Sequence, residues 1–114
     1  MALSEIQRAV VEKRLSEYCD SKVPPHVRDK VRLCFRIENN EVVLFEERPY
    51  FKDPNEWIEV SIAKFRYIKS RRVWRLYCQF RDLRWHQYEP LDEAPDFETL
   101  LGEVDADPTC IFWG

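Results

Sequence analysis

Alternating apolar and polar positions dominate the middle of the chain and predict a series of β-strands. Between residues 31 and 37, Val31, Leu33, Phe35 and Ile37 alternate with polar or small residues. A period of two residues is typical of a strand that buries one face and exposes the other. The same reasoning predicts strands at about residues 30–38, 42–48, 57–68, 72–80 and 84–89.

The third predicted strand changes its pattern partway along. Ile58, Val60 and Ile62 keep one phase of the alternation, and Phe65 and Tyr67 then take the other. A β-bulge inserts one extra residue and would return both groups to one face of the sheet. We therefore expect a bulge near residues 62–63.

Helical periodicity is confined to the two ends of the chain. Ser4 and Gln7 have the spacing of a capping box and predict a helix at about residues 5–19. Its expected apolar face consists of Ile6, Val10, Val11, Leu15 and Tyr18. Near the other end, an apolar stripe of Phe97, Leu100, Leu101 and Val104 predicts a helix at about residues 95–105.

Together these elements predict an α+β fold in one domain spanning residues 1–114. An antiparallel meander of about five strands would carry both helices on one face and leave the other face solvated. The expected core combines strand and helix residues, namely Leu33, Phe35, Trp74, Leu76, Leu100 and Leu101.

Charge is distributed unevenly along the chain, although the net charge is only −3. Residues 64–84 hold eight of the 18 Lys and Arg side chains and one acid, Asp82. Residues 85–114 hold eight acids and no Lys or Arg. Such segregation produces a localised field. We hypothesise that the acidic segment 92–107, through Glu98, Glu103 and Asp105, lies close enough to shield the basic strands.

The basic segment also contains aromatic residues, which makes it a candidate nucleic-acid-binding face. Binding to single strands needs cations that displace counterions from phosphates and exposed rings on which bases stack. The alternative interpretation is a solvated face on which arginine stems cover apolar surface. The RNA-recognition pattern that depends on glycine is absent from the sequence. The candidate residues are Lys64, Arg66, Arg72, Arg75, Tyr77 and Arg84.

Other candidate chemistry is weaker, and no catalytic residue, metal ligand or cofactor is predicted. The acids Asp53, Glu56 and Glu59 precede Lys64 but lack the spacing of metal-dependent nucleases. His86 has no nucleophile motif beside it. Cys19, Cys34, Cys78 and Cys110 form no C-x-x-C pair, so we expect four reduced cysteines rather than a zinc site.

The sequence also bears on the compartment. No apolar run approaches the roughly 20 residues that span a bilayer, and the first residues lack the features of a signal peptide. We expect a cytoplasmic protein without a membrane partner.

Three stretches of the chain resemble a known family. They are Val73-Trp74-Arg75-Leu76-Tyr77, Trp85-His86-Gln87-Tyr88-Glu89-Pro90 and the closing Asp107-Pro108-Thr109-Cys110-Ile111-Phe112-Trp113-Gly114. The chain is similar over nearly its whole length to small bacterial proteins catalogued as a domain of unknown function. The resemblance implies a bacterial cytosolic protein and brings no catalytic residues.

The functional expectation is a binding module that engages nucleic acid or another polyanion, such as an acidic protein, through the basic sheet face. The alternative is a protein–protein adaptor or homodimer that uses a sheet edge or the terminal aromatics Phe112 and Trp113. For these two rings we favour burial over exposure, and an enzyme is the least favoured class.

Overall fold

The computed structural model describes residues 2–113, and the elements follow the order that the sequence predicts. A helix opens the chain, six strands follow, and a second helix precedes the C-terminal segment. Short 3₁₀ turns lie at Pro25–Val27 and Glu89–Leu91. The main elements are α1 (Glu5–Lys22), β1 (Arg32–Glu38), β2 (Glu41–Tyr50), β3 (Asp53–Ile68), β4 (Val73–Gln79), β5 (Trp85–Gln87), β6 (Glu93–Ala94) and α2 (Phe97–Ala106).

The strands form one antiparallel sheet in the order β1-β2-β3-β4-β5, which confirms the α+β meander. The sequence predicted about five strands, and the sixth, β6, is a two-residue strand. It pairs with the start of β4, on the edge that β5 occupies further along. Two residues leave no periodicity to detect, so the sequence pattern could not reveal this strand.

Helix α1 begins with the predicted capping box, in which the Ser4 and Gln7 side chains each accept a hydrogen bond from the other residue's backbone N–H. It ends at Lys22 rather than near residue 19. The expected apolar face was too broad, because Ile6 is 78% exposed and Val10 is 61% exposed. At about 100° per residue, both lie more than about 120° around the helix from the centre of the buried stripe. That stripe consists of Val11, Leu15, Tyr18 and Cys19.

One buried cluster joins both helices to the same face of the sheet. The Phe97 ring of α2 lies 4.6 Å from the Phe65 ring and 5.1 Å from the Trp74 ring, measured between centroids. Five of the six predicted core residues are buried, and Phe35 is half-buried against the cluster. The five are Leu33, Trp74, Leu76, Leu100 and Leu101.

The predicted bulge is present in β3. Leu44 of β2 lies opposite Ala63, but the next residue, Phe45, lies opposite Ser61. Ile62 is therefore the extra residue, and both Ile62 and Ala63 are buried.

The C-terminal segment folds back onto the core. Asp107 ends α2 in the left-handed conformation (φ 45°), and its carboxylate accepts hydrogen bonds from the backbone N–H groups of Phe112 (3.1 Å) and Trp113 (2.8 Å). Phe112 is buried with its ring 4.9 Å from Tyr88. The Trp113 indole N–H donates to the Val104 carbonyl at 2.9 Å. The expectation that the terminal aromatics pack on the body is met, and Gly114 lies outside the described residues.

The core makes a direct prediction about stability. Leu100 is fully buried, so Leu100→Ala should lower the free energy of unfolding by about 2–5 kcal/mol through lost burial and a residual cavity. Leu83→Ala is the matched control, since Leu83 is 75% exposed and its truncation should change stability by about 0.5 kcal/mol or less. Urea titrations followed by tryptophan fluorescence measure both. Equal losses in the two variants would contradict the core described above.

Candidate nucleic-acid interface

The sheet face that neither helix covers, here called the open face, carries four of the six candidate residues. In the strand register, Lys64 of β3 lies opposite Tyr77 of β4, and Arg66 lies opposite Arg75. Their neighbours Phe65 and the other core residues point to the helices. Successive side chains of a strand point to opposite faces, so Lys64, Arg66, Arg75 and Tyr77 share the open face.

The other two candidates lie at opposite ends of β4. Arg72 immediately precedes β4 in the β3–β4 turn, with φ at 52°, and Arg84 immediately precedes β5 after the turn that follows β4. Seven residues of strand span about 23 Å. The six residues therefore follow the length of β4 as an elongated track, in which strand alternation places four side chains on the open face and Arg72 and Arg84 lie in the turns at the two ends.

The centre of this track is a lysine between two aromatic rings. The Lys64 ammonium lies 5.0 Å from the centroid of Tyr77 and 5.4 Å from that of Trp85. Both rings are half-buried, which leaves part of each accessible. A cation near a ring face is attracted to its quadrupole, and this fixes the ammonium between the rings.

Trp85 is the site residue that the sequence reasoning missed. The neighbouring His86 of β5 lies opposite Cys78, which belongs to the core. Tyr88 is buried and donates a hydrogen bond from its hydroxyl to Glu103 at 2.7 Å. Trp85 lies opposite Gln79, in phase with Tyr77. The register of β5 against β4 would have identified it.

Further along the open face, arginines already cover the aromatic rings. The Arg32 guanidinium lies 4.0 Å from the Trp57 centroid, and that of Arg36 lies 4.4 Å from Phe45. Phe45 is buried although it lies outside the main core cluster. At this end of the sheet, the interpretation of arginine stems covering apolar surface describes the face.

Several cations of the face are paired with acids. Arg36 binds Glu59 at 2.6 Å, and the Lys64 ammonium lies 3.5 Å from Glu41. The pKa of the Glu59 carboxyl is lowered from its ordinary value, chiefly by its hydrogen bond with Arg36. The open face is therefore a mixture of both signs of charge rather than a uniformly basic surface.

Glu93 of β6 holds two further arginines at the edge of the sheet. Its carboxylate lies 2.7 Å from Arg71 and 3.5 Å from Arg75. The hydrogen bond with Arg71 is the main reason that the pKa of Glu93 is lowered. In contrast, Arg66, Arg72 and Arg84 are exposed and form no ion pair with any residue between 2 and 113.

The acids expected to shield the basic strands lie elsewhere. Glu98 binds Arg14 of α1 at 2.7 Å, and Asp105 accepts a hydrogen bond from the Tyr18 hydroxyl at 2.9 Å. Glu103 is bound by Tyr88. These three acids lie on the side of the sheet where the helices pack. The carboxylate of the acidic segment that reaches the basic strands is Glu93.

The remaining candidate chemistry is not assembled into a site. Glu59 and Lys64 have separate partners, and within residues 2–113 no group of three or more His, Cys, Asp or Glu could hold a metal ion. The His86 Nε2 atom lies 2.9 Å from Asp82 Oδ2, and the His86 ring stacks on the Phe80 ring with 4.3 Å between their centroids. No nucleophile contacts this pair among the hydrogen bonds of the described chain.

Cys19 and Cys34 are not activated as nucleophiles. Burial raises the pKa of the Cys19 thiol to about 12 and that of Cys34 to about 11. A thiol with a raised pKa stays protonated near neutral pH and is a poor nucleophile. All four cysteines are free.

Comparison with known proteins leads to a family without an assigned activity. No curated protein and no solved structure is significantly similar to the chain. No helix in the described part of the chain is both long and apolar enough to cross a membrane. A family model described as a domain of unknown function (DUF3024) matches residues 3–114. The chain therefore belongs to the DUF3024 family.

Proposed function

We propose that the protein is a binding module whose open face binds single-stranded nucleic acid. The observation that carries the proposal is the pair of accessible rings, Tyr77 and Trp85, on a sheet face that no helix covers, with the Lys64 ammonium between them. Aromatic side chains on a cationic sheet surface stack with bases and are tolerant of sequence.

The cations without ion pairs are the proposed phosphate contacts. Arg66 lies on the open face, and Arg72 and Arg84 lie at the two ends of β4, so these cations mark a path of about 23 Å past both rings. That length is of the order of the shortest site sizes, about four nucleotides, of single-strand-binding domains. Arg75 adds to the field, and Glu93 partly neutralises it.

The proposed setting is the cytoplasm of a bacterium. The four free cysteines support a reducing compartment, because secreted proteins of this size commonly use cysteines in disulfides. In such a compartment single-stranded RNA and DNA and acidic proteins all compete for a basic face.

The first test is the dependence of binding on salt and on the arginines. Three phosphate contacts at about −0.7 each predict a slope near −2 for log affinity against log salt. Arg66→Ala, Arg72→Ala and Arg84→Ala should each reduce the slope by about 0.7, similarly for every sequence. Tyr77→Ala and Trp85→Ala should instead weaken binding by about 1–3 kcal/mol without changing the slope, because a stacked base carries no counterion.

Fluorescence anisotropy with labelled oligonucleotides measures these effects. Arg8→Ala is the matched control for charge, since Arg8 pairs with Glu12 on α1, and Phe51→Ala is the control for an exposed ring. Lack of binding at low salt, or binding indifferent to all three arginines, would overturn the proposal. Equal affinity for polyglutamate would assign the face to acidic proteins instead.

A second test uses the position of Glu93. Glu93→Gln should raise affinity for the oligonucleotide at low salt, because it releases Arg71 and Arg75 from their shared carboxylate. Glu98→Gln changes the net charge by the same amount but lies beside Arg14 on the helix side, so affinity should be unchanged. The same anisotropy titration compares the two variants. An equal increase in both would indicate a response to net charge rather than to this face.

A second candidate function is homodimerisation through the free edge of β3. Within the described residues, β4 pairs with β3 from Lys64 to Ile68, and no strand pairs with that edge of β3 before Lys64. Ile58 and Val60 on this stretch are 41% and 39% exposed. An unpaired strand edge is a template for pairing with a second strand. Of the terminal aromatics, Phe112 is buried, and Trp113 is half-buried and donates its indole N–H to the Val104 carbonyl, so both already pack on the body of the protein.

Analytical ultracentrifugation tests the edge. If two copies pair here, Val60→Lys should shift the protein toward monomer, because a lysine on the edge opposes strand pairing. Ile6→Lys is the control, as Ile6 is also apolar and exposed but lies on α1. A protein that remains monomeric up to about 100 µM excludes dimers with Kd below that concentration.

A further inference from the structure

A cavity at one end of the sheet collects cations that have no acidic partner. It has a volume of about 580 Å³ and lies where the chain before α1, the β1–β2 turn and the β3–β4 turn meet. Arg66, Lys69 and Arg72 line it, and none of the lining residues is an acid. Pockets of this size are typical of small-ligand sites.

This grouping differs from the three cations of the basic segment that are paired with acids. Lys64, Arg71 and Arg75 each face a carboxylate within 3.5 Å. Arg66, Lys69 and Arg72 form no ion pair with residues 2–113, and Glu41, which lies opposite Arg66 in the register, is directed to Lys64. Like charges brought together without a counterion are unfavourable, and a bound anion would relieve them.

Internal hydrogen bonds hold part of the uncharged wall of the cavity in place. The Asn40 side-chain amide donates to the Tyr67 carbonyl at 2.9 Å, and the Tyr67 N–H donates to the Asn40 carbonyl at 2.9 Å. The Ser4 and Gln7 side chains are engaged in the capping box of α1. The three cations are the charged donors of the cavity, beside the uncharged side chains of Ser4, Gln7 and Ser70, so the cavity selects a ligand by negative charge.

The cavity is continuous with the proposed track because Arg66 belongs to both. Arg66 points to the open face and also lines the cavity, and Arg72, in the turn just before β4, lines it as well. The chain around Ala2, Ser4 and Gln7 bounds the far wall. A strand that follows β4 toward this end therefore meets a cationic cavity bounded by the chain before α1, which suits the end of a nucleic-acid strand better than its middle.

We propose that this cavity holds a terminal phosphate of the single strand bound along the open face, an inference that rests on the proposed function. A terminal phosphomonoester carries about −1.5 to −2 charges at neutral pH and three exposed oxygens, more than an internal diester offers. Lys69, which lies outside the proposed track, and Arg72 bind this group. The cavity thus distinguishes strand ends that carry phosphate from ends that carry hydroxyl.

The experiment compares three labelled oligonucleotides of one sequence, with no terminal phosphate, a 5′-phosphate or a 3′-phosphate. Anisotropy at fixed salt should show about tenfold tighter binding for one of the two phosphorylated ends, as expected for charge-assisted hydrogen bonds. Lys69→Gln should abolish that preference and leave the affinity for the unphosphorylated oligonucleotide within about twofold. Lys52→Gln, an exposed lysine of the β2–β3 turn, should retain the preference.

The outcomes separate this inference from the proposed function. Binding of all three oligonucleotides with equal affinity overturns the terminal-phosphate site and leaves the proposed function standing. An equal gain from both ends, unaffected by Lys69→Gln, reports added charge alone and also overturns it. Failure of every oligonucleotide to bind at low salt removes the proposed function itself. Preference for one end, lost in Lys69→Gln, supports the site and gives the polarity of the strand.

Discussion

Burial of one sheet face beneath two helices is the constraint on which the rest of this structure depends. Phe97 of α2 packs on Phe65 of β3 and Trp74 of β4. The helix that covers these two strands therefore comes from the C-terminal end of the chain. Once α2 lies there, Glu98 meets Arg14 and Asp105 meets Tyr18 of α1. These two acids of α2 therefore bind residues of α1 on the helix-covered side of the sheet. The charges of the open face must then be balanced by their own neighbours, chiefly Glu41, Glu59 and Glu93.

The local features that the sequence predicted correctly depend on residues only a few positions apart in the chain. Alternation in β1 and β4, the bulge at Ile62 and the capping box at Ser4 each depend on near neighbours, where geometry allows few solutions. The exposure of Ile6 depends instead on how α1 is rotated against the sheet, which the helix's own pattern does not determine. The ion pair of Arg36 and Glu59 joins residues 23 positions apart on β1 and β3, across the intervening strand β2, so it depends on the assembled sheet.

Trp85 was missed because the turn before β5 interrupts the alternation of side chains. The alternation rule holds in β5, but the strand has three residues and follows a turn in which Leu83 adopts φ of 61°. A left-handed residue in a turn resets the direction of the chain, so the phase of β4 cannot be carried across it. The sequence therefore predicted the candidate residues of β3 and β4 but missed Trp85 on the short strand β5. The two-residue strand β6 places the Glu93 carboxylate 2.7 Å from Arg71, and no sequence pattern indicated this contact.

The residues that carry the family resemblance include some that act in folding. Asp107 caps α2 and binds the backbone of Phe112 and Trp113, so the closing stretch is held by one carboxylate.

Tyr77 and Trp85 differ from these, because neither is fully buried and both flank a lysine whose carboxylate partner lies 3.5 Å away. The Lys64 side chain is 17% exposed and that of Glu41 is 38% exposed, so water only partly screens this ion pair. In the proposed function, a phosphate near Lys64 competes with the Glu41 carboxylate. The same competition limits the net gain, so weak and strongly salt-dependent binding is the regime that this face suits.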